Sequence, residues 1–327
     1  MSTPSWSLVV HGGSGVIERA DLKPEQDLAY RAVLAQAAEA GAAVLRIGGA
    51  ALDAVEAAIH VLEDDPLFNA GRGAVFTADG RNELDAAIME GASRAAGAVA
   101  GVTRIRNPIS AARAVMERSP HVLLSGSGAD AFAAAEGLAR VEPSYFFVEQ
   151  RWRALEKHLA REGLAIPPRP AGASRDETHA ALAHDEGKRG TVGVVARDAN
   201  GDLAAGTSTG GTTGKRWGRV GDSPLIGAGT YASNRSAAVS GTGEGEYFIR
   251  LGVARTICAL VELNGLGLQA AVNEVVQKDL TALGGHGGVI AVGADGEMAW
   301  SFNTSGMYRA RLADGRPLEV AIYKDEA

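Results

Sequence analysis

The stretch with the clearest chemical potential is the run Gly-Thr-Val-Gly-Val-Val at residues 190–195. The residues before it are mostly polar, whereas the run itself is apolar and β-branched, a pattern typical of a strand. If the Gly190–Thr191 bond breaks, Thr191 carries a hydroxyl nucleophile and a free amine that can act as its base. This stretch alone still favours an ordinary threonine at the start of a strand, so the hypothesis depends on the rest of the chain.

A second hydroxyl is expected next to the first. Thr209 ends the strand predicted over residues 203–209, and the Asn-Gly pair at 200–201 indicates a hairpin with the strand over 191–197. Antiparallel pairing brings the start of one strand beside the end of the other. We therefore expect a hydrogen bond between Thr191 and Thr209.

Two later segments offer groups that bind charge. Arg219 and Asp222 lie on a loop bounded by Gly218 and Pro224, where together they would hold the carboxylate and the ammonium of an α-amino acid; the alternative is a solvent-exposed ion pair. Residues 240–246 are expected to open a helix whose first backbone N–H groups stabilise a developing anion. The alternative for that segment is ordinary N-capping by Thr242.

Composition excludes several classes of function. The chain has 327 residues, a net charge of −7 and 46% hydrophobic residues, so no basic surface indicates nucleic acid and no apolar run is long enough for a membrane span. The N-terminal residues lack a signal-peptide pattern, and the expected location is cytoplasmic. The single Cys258 excludes an intrachain disulfide, and the histidines lack the spacing of a transition-metal site.

Two familiar motifs are incomplete. The G-x-S-x-G pattern at 206–210 is followed by further glycines instead of the helix that such a nucleophile needs. The run Gly-Thr-Thr-Gly-Lys at 211–215 lacks both the first glycine and the final Ser or Thr of a phosphate-binding loop. Neither motif is expected to have its usual role.

The hydrophobic pattern predicts an α+β protein in which antiparallel hairpins alternate with segregated helices, which favours two sheets packed face to face with helices outside. Residues 163–190 have little periodicity and are predicted to form a flexible linker. Neither the part of the chain before Thr191 nor the part after it has the features of a separate hydrophobic core, so one domain over 1–327 is expected. The predicted strands are 7–10, 74–77, 83–89, 96–105, 121–125, 191–197, 203–209, 225–228, 289–292, 297–302 and 318–323, and the predicted helices are 26–47, 51–63, 108–117, 130–138, 144–160, 244–263 and 268–283.

The order of the motifs is more specific than any one of them. It resembles the plant-type L-asparaginase / isoaspartyl peptidase family of N-terminal-nucleophile hydrolases, and the resemblance covers nearly the whole chain. The second half contributes Gly-Thr-Val-Gly at 190–193, Ser-Thr-Gly-Gly at 208–211, Gly-Arg-Val-Gly-Asp-Ser-Pro at 218–224, Thr-Gly-Glu-Gly-Glu at 242–246 and Phe-Asn-Thr-Ser-Gly-Met-Tyr-Arg at 302–309. The first half contributes His-Gly-Gly at 11–13, Asp-Asp-Pro-Leu-Phe-Asn-Ala-Gly-Arg-Gly at 64–73 and Glu-Leu-Asp-Ala-Ala-Ile-Met-Glu-Gly at 83–91.

The resemblance implies a four-layer αββα sandwich and autocatalytic cleavage between Gly190 and Thr191. The two pieces, an α subunit over 1–190 and a β subunit over 191–327, would stay together and associate as an (αβ)2 heterotetramer. The implied activity is hydrolysis of isoaspartyl dipeptides and L-asparagine through a β-aspartyl ester on Thr191. No cofactor is expected for catalysis, and no nucleic acid or membrane is expected as a partner.

The resemblance also assigns residues. Thr191 is the implied nucleophile, Thr209 the hydroxyl beside it, and Thr242 and Gly243 form the oxyanion hole. The implied substrate-binding residues are Arg219, Val220, Gly221, Asp222, Thr242, Gly243, Glu244 and Gly245. A structural sodium ion is implied on mainly backbone carbonyl groups of Leu62, Glu63, Asp65, Phe68, Ala70 and Arg72; in that loop Asp65 and Arg72 are more charged than the family pattern leads us to expect.

Three alternatives stay open at the level of sequence. A glycosylasparaginase-like member of the same superfamily is expected to carry a signal peptide, disulfides and a nucleophile motif different from that at 190–193, and a taspase-like member a longer insertion. A non-catalytic amino-acid-binding homologue would keep the fold and the head-group residues without the reaction.

Overall fold

The computed structural model describes residues 5–20, 22–173 and 190–326. Most of the predicted linker, residues 174–189, lies outside the described residues. Residues 164–173 form no helix or strand, in agreement with the expected lack of regular structure there. No helix in the described ranges is both long and apolar enough to cross a membrane.

The larger sheet has eight strands in the order β12-β11-β1-β5-β6-β2-β3-β4. All neighbouring strands are antiparallel except β3 and β4, which are parallel. Its strands are β1 (Ser7–Gly15), β2 (Leu84–Glu90), β3 (Ala96–Val102), β4 (Leu123–Ser125), β5 (Val192–Arg197), β6 (Leu203–Thr209), β11 (Gly306–Ala313) and β12 (Glu319–Tyr323).

The smaller sheet is fully antiparallel, with four strands in the order β10-β9-β8-β7. It packs on the larger one through contacts of β8 and β9 with β1 and β5. Its strands are β7 (Thr230–Ala232), β8 (Ala237–Gly243), β9 (Gly287–Gly293) and β10 (Met298–Phe302).

Helices cover both outer faces. The first three, α1 (Pro24–Arg46), α2 (Ala51–Asp64) and α3 (Pro108–Arg118), pack on the larger sheet, and α7 (Val253–Asn264) and α8 (Leu268–Asn273) pack on the smaller one. The protein is therefore an α+β fold with four layers in the order helix, sheet, sheet, helix, as the sequence predicts. The other helices are α4 (Gly126–Ala135), α5 (Glu149–Arg161) and α6 (Gly245–Leu251), and α8 continues as a π-helix over Glu274–Leu280.

Strand β5 is buried on both faces because it lies in the middle of this sandwich. Its alternate residues Val192 and Val194 belong to the core between sheet and helices, whereas Val195 belongs to the core between the two sheets. This is the two-residue period of a strand. Helix α2 presents Val55 and Ile59, four residues apart, to the same core, as expected for one face of a helix. The apolar run after Thr191 thus fixes the start of β5 rigidly.

The larger sheet combines strands from before and after residue 190, with β1 inserted between β11 and β5. The chain's first strand, β1, pairs with β5 and β11, and β6 pairs with β2. Breaking the backbone in front of β5 would therefore leave both pieces hydrogen-bonded in one sheet and packed in shared cores.

Three local predictions are wrong. Residues 74–77 form no strand, because the side chains of Asn69 and Asn82 bind this backbone: Val75 N donates to Asn69 Oδ1 at 2.9 Å and Asn82 Nδ2 donates to Ala74 O at 2.9 Å. Residues 225–228 form turns instead of a strand, and the backbone N–H groups of residues 225 and 228 donate the hydrogen bonds that close these turns. The helix predicted over 244–263 is interrupted at Gly252, which has a φ of +55°.

The segment around Thr242 also differs from the prediction. The segment 240–246 is predicted to open a helix, but residues 240–243 lie in strand β8, and helix α6 begins only at Gly245. Strand β11, over Gly306–Ala313, was not predicted as a strand.

Candidate active site

The hydroxyl of Thr191 begins a short hydrogen-bond chain that ends on the preceding carbonyl group. Pairing of β5 with β6 brings Thr191 next to Thr209, and Thr191 Oγ1 donates to Thr209 Oγ1 at 3.2 Å. Thr209 Oγ1 in turn donates to Gly190 O at 3.0 Å and accepts from Gly211 N at 3.0 Å. The contact predicted between the two threonines is therefore present, and it connects the hydroxyl to the peptide bond predicted to break.

Asn69 supplies a second donor to the same carbonyl oxygen. Its Nδ2 donates to Gly190 O at 2.8 Å and to Gly211 O at 2.7 Å, and its Oδ1 accepts from Val75 N. These three bonds fix the orientation of the amide, so that one N–H always faces Gly190. The motif at 64–73 contains Asn69, but its role was missed; a polar residue between the apolar Phe68 and Ala70 was the available signal.

We call Asn69, Gly190, Thr191 and Thr209 the nucleophile corner. Thr191 and Thr209 are 6% and 2% exposed, and Asn69 is also 2% exposed. The two hydroxyl groups and the amide are therefore buried, whereas Gly190 is partly exposed.

Strand β1 passes directly beside that bond. Gly13, at a β-bulge in β1, has a φ of +112°, and a Cβ there would lie 3.2 Å from Gly190 Cα and 3.4 Å from Thr191 N. The next residue links this strand to the predicted oxyanion hole, because Ser14 N donates to Thr242 Oγ1 at 3.3 Å and Ser14 Oγ donates to Thr242 O at 2.9 Å. In β1, Gly13 thus lies against the nucleophile corner, and the next residue, Ser14, bonds to Thr242, which precedes Gly243.

His11 lies behind the corner in a buried network of hydroxyl groups. Its Nε2 is 3.0 Å from Ser240 Oγ, which is 2.7 Å from Thr207 Oγ1. Burial lowers the pKa of His11 to about 3, and the neighbouring backbone of Thr191 opposes this shift only in part. The imidazole is therefore neutral and poorly suited to accept a proton, so it acts as a structural hydrogen-bonding group.

Arg219 and Asp222 border one small space, although they do not pair with each other. Arg219 Nε and Nη2 donate to the two carboxylate oxygens of Glu246 at 2.9 and 3.1 Å. A Cβ on Gly245 would lie 3.0 Å from Arg219 Nη2 and 2.9 Å from Asp222 Oδ1. Only a glycine at 245 leaves this space open between a cation and a carboxyl group. We call Arg219, Asp222, Gly245 and Glu246 the head-group clamp.

Asp222 differs from a surface carboxylate. It is 4% exposed, and its Oδ2 has no hydrogen-bond partner among the described residues. Burial raises its pKa to about 7, while a bond to its own backbone and the charge of Arg219 act in the opposite direction. A cation that entered this space would stabilise the ionised carboxylate. The exposed ion pair considered from the sequence is therefore not what forms here, since Arg219 pairs with Glu246 and Asp222 is buried.

The other predicted substrate-binding residues surround the clamp. Val220 is 36% exposed, and a Cβ on Gly221 would lie 2.9 Å from the Arg219 guanidinium group. Glu244 accepts from His286 N at 3.0 Å, so its carboxylate is turned toward β9. The structure thus brings 219–222 and 243–245 together, but the side chain of Glu244 is already engaged by His286.

The predicted sodium loop is tightly wound around glycines. A Cβ on Gly71, which has a φ of +47°, would lie 2.2 Å from Glu63 O, and a Cβ on Gly73 would lie 1.9 Å from Phe68 O. Backbone carbonyl groups therefore crowd positions without side chains, and neutral oxygen donors of this kind suit a hard cation. No group of three or more His, Cys, Asp or Glu residues that could hold a metal ion occurs in the described ranges, so any cation here would depend on carbonyl groups.

The two residues of this loop that are more charged than the family pattern, Asp65 and Arg72, make other contacts. Asp65 Oδ1 accepts from Leu67 N at 2.9 Å, and the Arg72 guanidinium lies 5.8 Å from the centre of the Tyr145 ring. The side chain of Glu63 is buried and accepts from Ser208 Oγ at 2.6 Å; burial raises its pKa to about 8. None of these side chains replaces the carbonyl groups of the loop, and the sodium site stays a prediction.

Comparison with known proteins agrees with this arrangement. A family model described as asparaginase matches residues 4–322. An isoaspartyl peptidase of Salmonella typhimurium is 50% identical over 97% of this chain and 98% of its own length, and that of Escherichia coli is 48% identical over 98% and 96%. A plant-type L-asparaginase of Pyrococcus horikoshii is 42% identical over 94% and 97%. The family match thus spans the positions of all the site residues described above.

Proposed function

Because this chain belongs to the asparaginase family, whose model spans nearly all of it, we propose that it is an autocatalytically processed amidohydrolase acting on isoaspartyl dipeptides and L-asparagine. The observation that carries the proposal is the chain of bonds from the Thr191 hydroxyl through Thr209 to the Gly190 carbonyl. The names of the relatives, isoaspartyl peptidase and plant-type L-asparaginase, favour this activity over glycosylasparaginase-like or taspase-like alternatives.

Self-cleavage comes first in the proposed sequence of steps. Thr191 Oγ1 attacks the Gly190 carbonyl carbon; the C–O bond forms, the C–N bond breaks, and the hydroxyl proton passes to the leaving amine. Donors from Asn69 and Thr209 stabilise the negative charge that develops on Gly190 O. Water then hydrolyses the ester, which leaves a carboxylate on Gly190 and a free amine on Thr191.

The same hydroxyl then serves catalysis. The Thr191 side chain has its hydrogen bond to Thr209 and none to a charged side chain in the described ranges, and His11 is neutral at the pH of the cell. The freed amine of Thr191 is therefore the proposed base. Attack on the side-chain amide of asparagine, or on the β-linked peptide bond, gives a β-aspartyl ester and releases ammonia or an amino acid. Water completes the cycle and releases aspartate.

The remaining site residues take binding roles in this proposal. Thr242 Oγ1 and Gly243 N–H stabilise the oxyanion of the substrate, and their place next to β1 and the nucleophile corner supports that role. Arg219 holds the α-carboxylate and Asp222 the α-ammonium of the substrate. Both groups border the space at Gly245, so one α-amino acid head group would contact both.

The sodium ion, the two subunits and the assembly belong to the same proposal. Carbonyl groups of the loop from Leu62 to Arg72 would hold sodium, which would stiffen the backbone that carries Asn69. The presence of strands from 1–190 and 191–327 in one sheet supports a single domain that survives cleavage. The (αβ)2 assembly and the cytoplasmic location stay predictions.

The test is Thr191→Ala, with Thr191→Ser as the matched control. Wild-type protein is expected to separate on a denaturing gel into two fragments, the smaller beginning at Thr191 by mass spectrometry, and to hydrolyse β-Asp-Leu. Thr191→Ala should stay one chain and be inactive, because it lacks the hydroxyl, whereas Thr191→Ser should retain both reactions at a reduced rate. A Thr191→Ala protein that still hydrolyses β-Asp-Leu would contradict the proposal. A wild type that binds L-aspartate but does not hydrolyse β-Asp-Leu would favour the binding homologue.

A further inference from the structure

A buried lysine lies beside the nucleophile corner and has no role in the steps above. The side chain of Lys215 is 1% exposed, and its Nζ donates to Glu83 O at 2.8 Å. It lies 4.0 Å from Oδ2 of Asp85, whose side chain is 0% exposed. Asp85 Oδ1 accepts from Gly101 N at 2.8 Å, and Oδ2 has no hydrogen-bond partner in the described ranges. A cation and an anion are thus buried together at the start of β2.

Lys215 approaches the nucleophile corner through Gly211. Gly211 has a φ of +81°, and a Cβ there would lie 3.0 Å from Lys215 Nζ. The N–H of Gly211 donates to Thr209 Oγ1 at 3.0 Å, and its carbonyl oxygen accepts from Asn69 Nδ2 at 2.7 Å. This one turn therefore contacts both side chains that donate to the Gly190 carbonyl. The register of β2 and β6 also places Asp85 directly opposite Thr209.

Stability alone does not account for the buried pair. Burial raises the pKa of Asp85 and lowers the pKa of Lys215, in each case against the attraction of the partner. Buried ion pairs can often be replaced by apolar residues without loss of stability, and a contact of 4.0 Å is looser than a charge-assisted hydrogen bond. The arrangement fits a role in placing the neighbouring turn.

We propose that Lys215 is a positioning residue of the nucleophile corner, which supports the Gly211 turn and thereby orients Thr209 and Asn69 toward the Gly190 carbonyl. The inference rests on the proposed function, since it assigns Lys215 to the self-cleavage and hydrolysis carried out by Thr191. Lys215 acts through Gly211 and transfers no proton.

The test compares Asp85→Asn with the double variant Asp85→Asn/Lys215→Met. Both variants lack the buried negative charge, so they differ only at residue 215, where methionine has no side-chain nitrogen. In Asp85→Asn that nitrogen still donates to Glu83 O, and we expect kcat for β-Asp-Leu and the self-cleavage rate to stay within about threefold of wild type. In the double variant the turn loses its support, and both rates should fall by at least about tenfold while KM changes less than about threefold.

Gly211→Ala provides a second variant that keeps the ion pair and remains informative if the double variant does not fold. Its added Cβ would press on Lys215 Nζ and disfavour the positive φ, so the same loss in kcat with little change in KM is expected. Wild-type kcat in either the double variant or Gly211→Ala would overturn the proposal.

A control separates positioning from stability. Arg31→Met breaks a partly buried ion pair with Asp27 and Glu326 near the end of β12; it should lower Tm and leave kcat per cleaved site unchanged. If kcat falls equally in Arg31→Met, the effect of Lys215 is one of general stability and the inference fails. An inactive, uncleaved wild type would contradict the proposed function itself, whereas an active wild type with an equally active double variant would contradict only the role of Lys215.

Discussion

The nucleophile corner and the head-group clamp, which we propose act on one substrate, are built from opposite kinds of group. The corner contains hydroxyl groups, an amide and a carbonyl, joined by bonds of 2.8 to 3.2 Å. The clamp contains two carboxyl groups and a guanidinium, and one of the carboxyl groups, Asp222, is buried with an unpartnered oxygen. The corner is therefore complete within the chain, whereas the clamp leaves a charge requirement that a ligand can meet.

This difference separates two contributions to rate. Groups of the corner contact the bond that is proposed to break, so a change there should alter self-cleavage and kcat together. Groups of the clamp are proposed to contact the part of the substrate that does not react, so a change there should alter KM and spare self-cleavage, which needs no substrate. Each variant below tests whether the corner and the clamp are as independent as their chemistry indicates.

Thr209→Val should have the largest effect. Valine keeps the shape of threonine but removes the hydroxyl that accepts from Thr191 and donates to Gly190 O, and it leaves Gly211 N–H without its partner. We expect self-cleavage and kcat each to fall by roughly 10²-fold or more, measured by fragment formation and by β-Asp-Leu turnover.

Thr209→Ser is the matched control, because it keeps the hydroxyl and loses only a methyl group. It should retain most of both rates. If Thr209→Val lowered only KM, or if Thr209→Ser were as impaired as Thr209→Val, the hydroxyl chain would not be the feature that matters.

Arg219→Gln should have an intermediate effect that is confined to binding. Loss of a charged hydrogen-bonding partner is worth about 1.5–3 kcal/mol, so KM should rise by roughly 10- to 100-fold while self-cleavage keeps the wild-type rate. Equal losses in both reactions would show that Arg219 supports the fold of the loop and does not serve substrate binding alone.

Glu246→Gln sharpens the same comparison. Glu246 holds Arg219 in the free protein, so a substrate carboxylate has to compete with it for the guanidinium. Removing the charge of Glu246 should leave kcat unchanged and lower KM by a few-fold, about the value of one exposed ion pair. A rise in KM would mean that Glu246 orients Arg219 more than it competes with the substrate.

The sequence allowed the corner to be predicted better than the clamp, and the reason is physical. A hairpin with a short turn fixes which residues face each other, so the contact of Thr191 with Thr209 follows from local pattern alone. The same holds for the αββα layers, since the alternation of helical and strand periods is a local property. Pairing of β1 with β5 and β11 joins distant parts of the chain, and periodicity carries no information about it.

The clamp depends on burial and on loops, which local patterns do not determine. Nothing in the run 218–224 indicates that Asp222 becomes buried or that Arg219 turns to Glu246 across the loop. Thr242 is predicted to lie in the segment that opens a helix, whereas it lies in strand β8 directly before the helix that begins at Gly245. Asn69 and Lys215 were left without a role, since their contacts with Gly190 and Gly211 come from loops that meet only in the folded chain.

The last prediction concerns the pH dependence of head-group binding, which tests the burial of Asp222. Its pKa is raised to about 7, and only the ionised carboxylate can hold an ammonium group, so affinity should weaken as pH falls through about 7. The inhibition constant of L-aspartate should therefore rise by up to about tenfold per pH unit below that value, while the charges of L-aspartate itself do not change between pH 5.5 and 8. An inhibition constant is the better measurement, because kcat also depends on the Thr191 amine, an α-amino group with an ordinary pKa of about 7.7–8.0. Asp222→Asn should bind weakly at every pH and lose the dependence, whereas a wild-type constant that stays level from pH 8 to 5.5 would mean that Asp222 does not face the ligand's ammonium group.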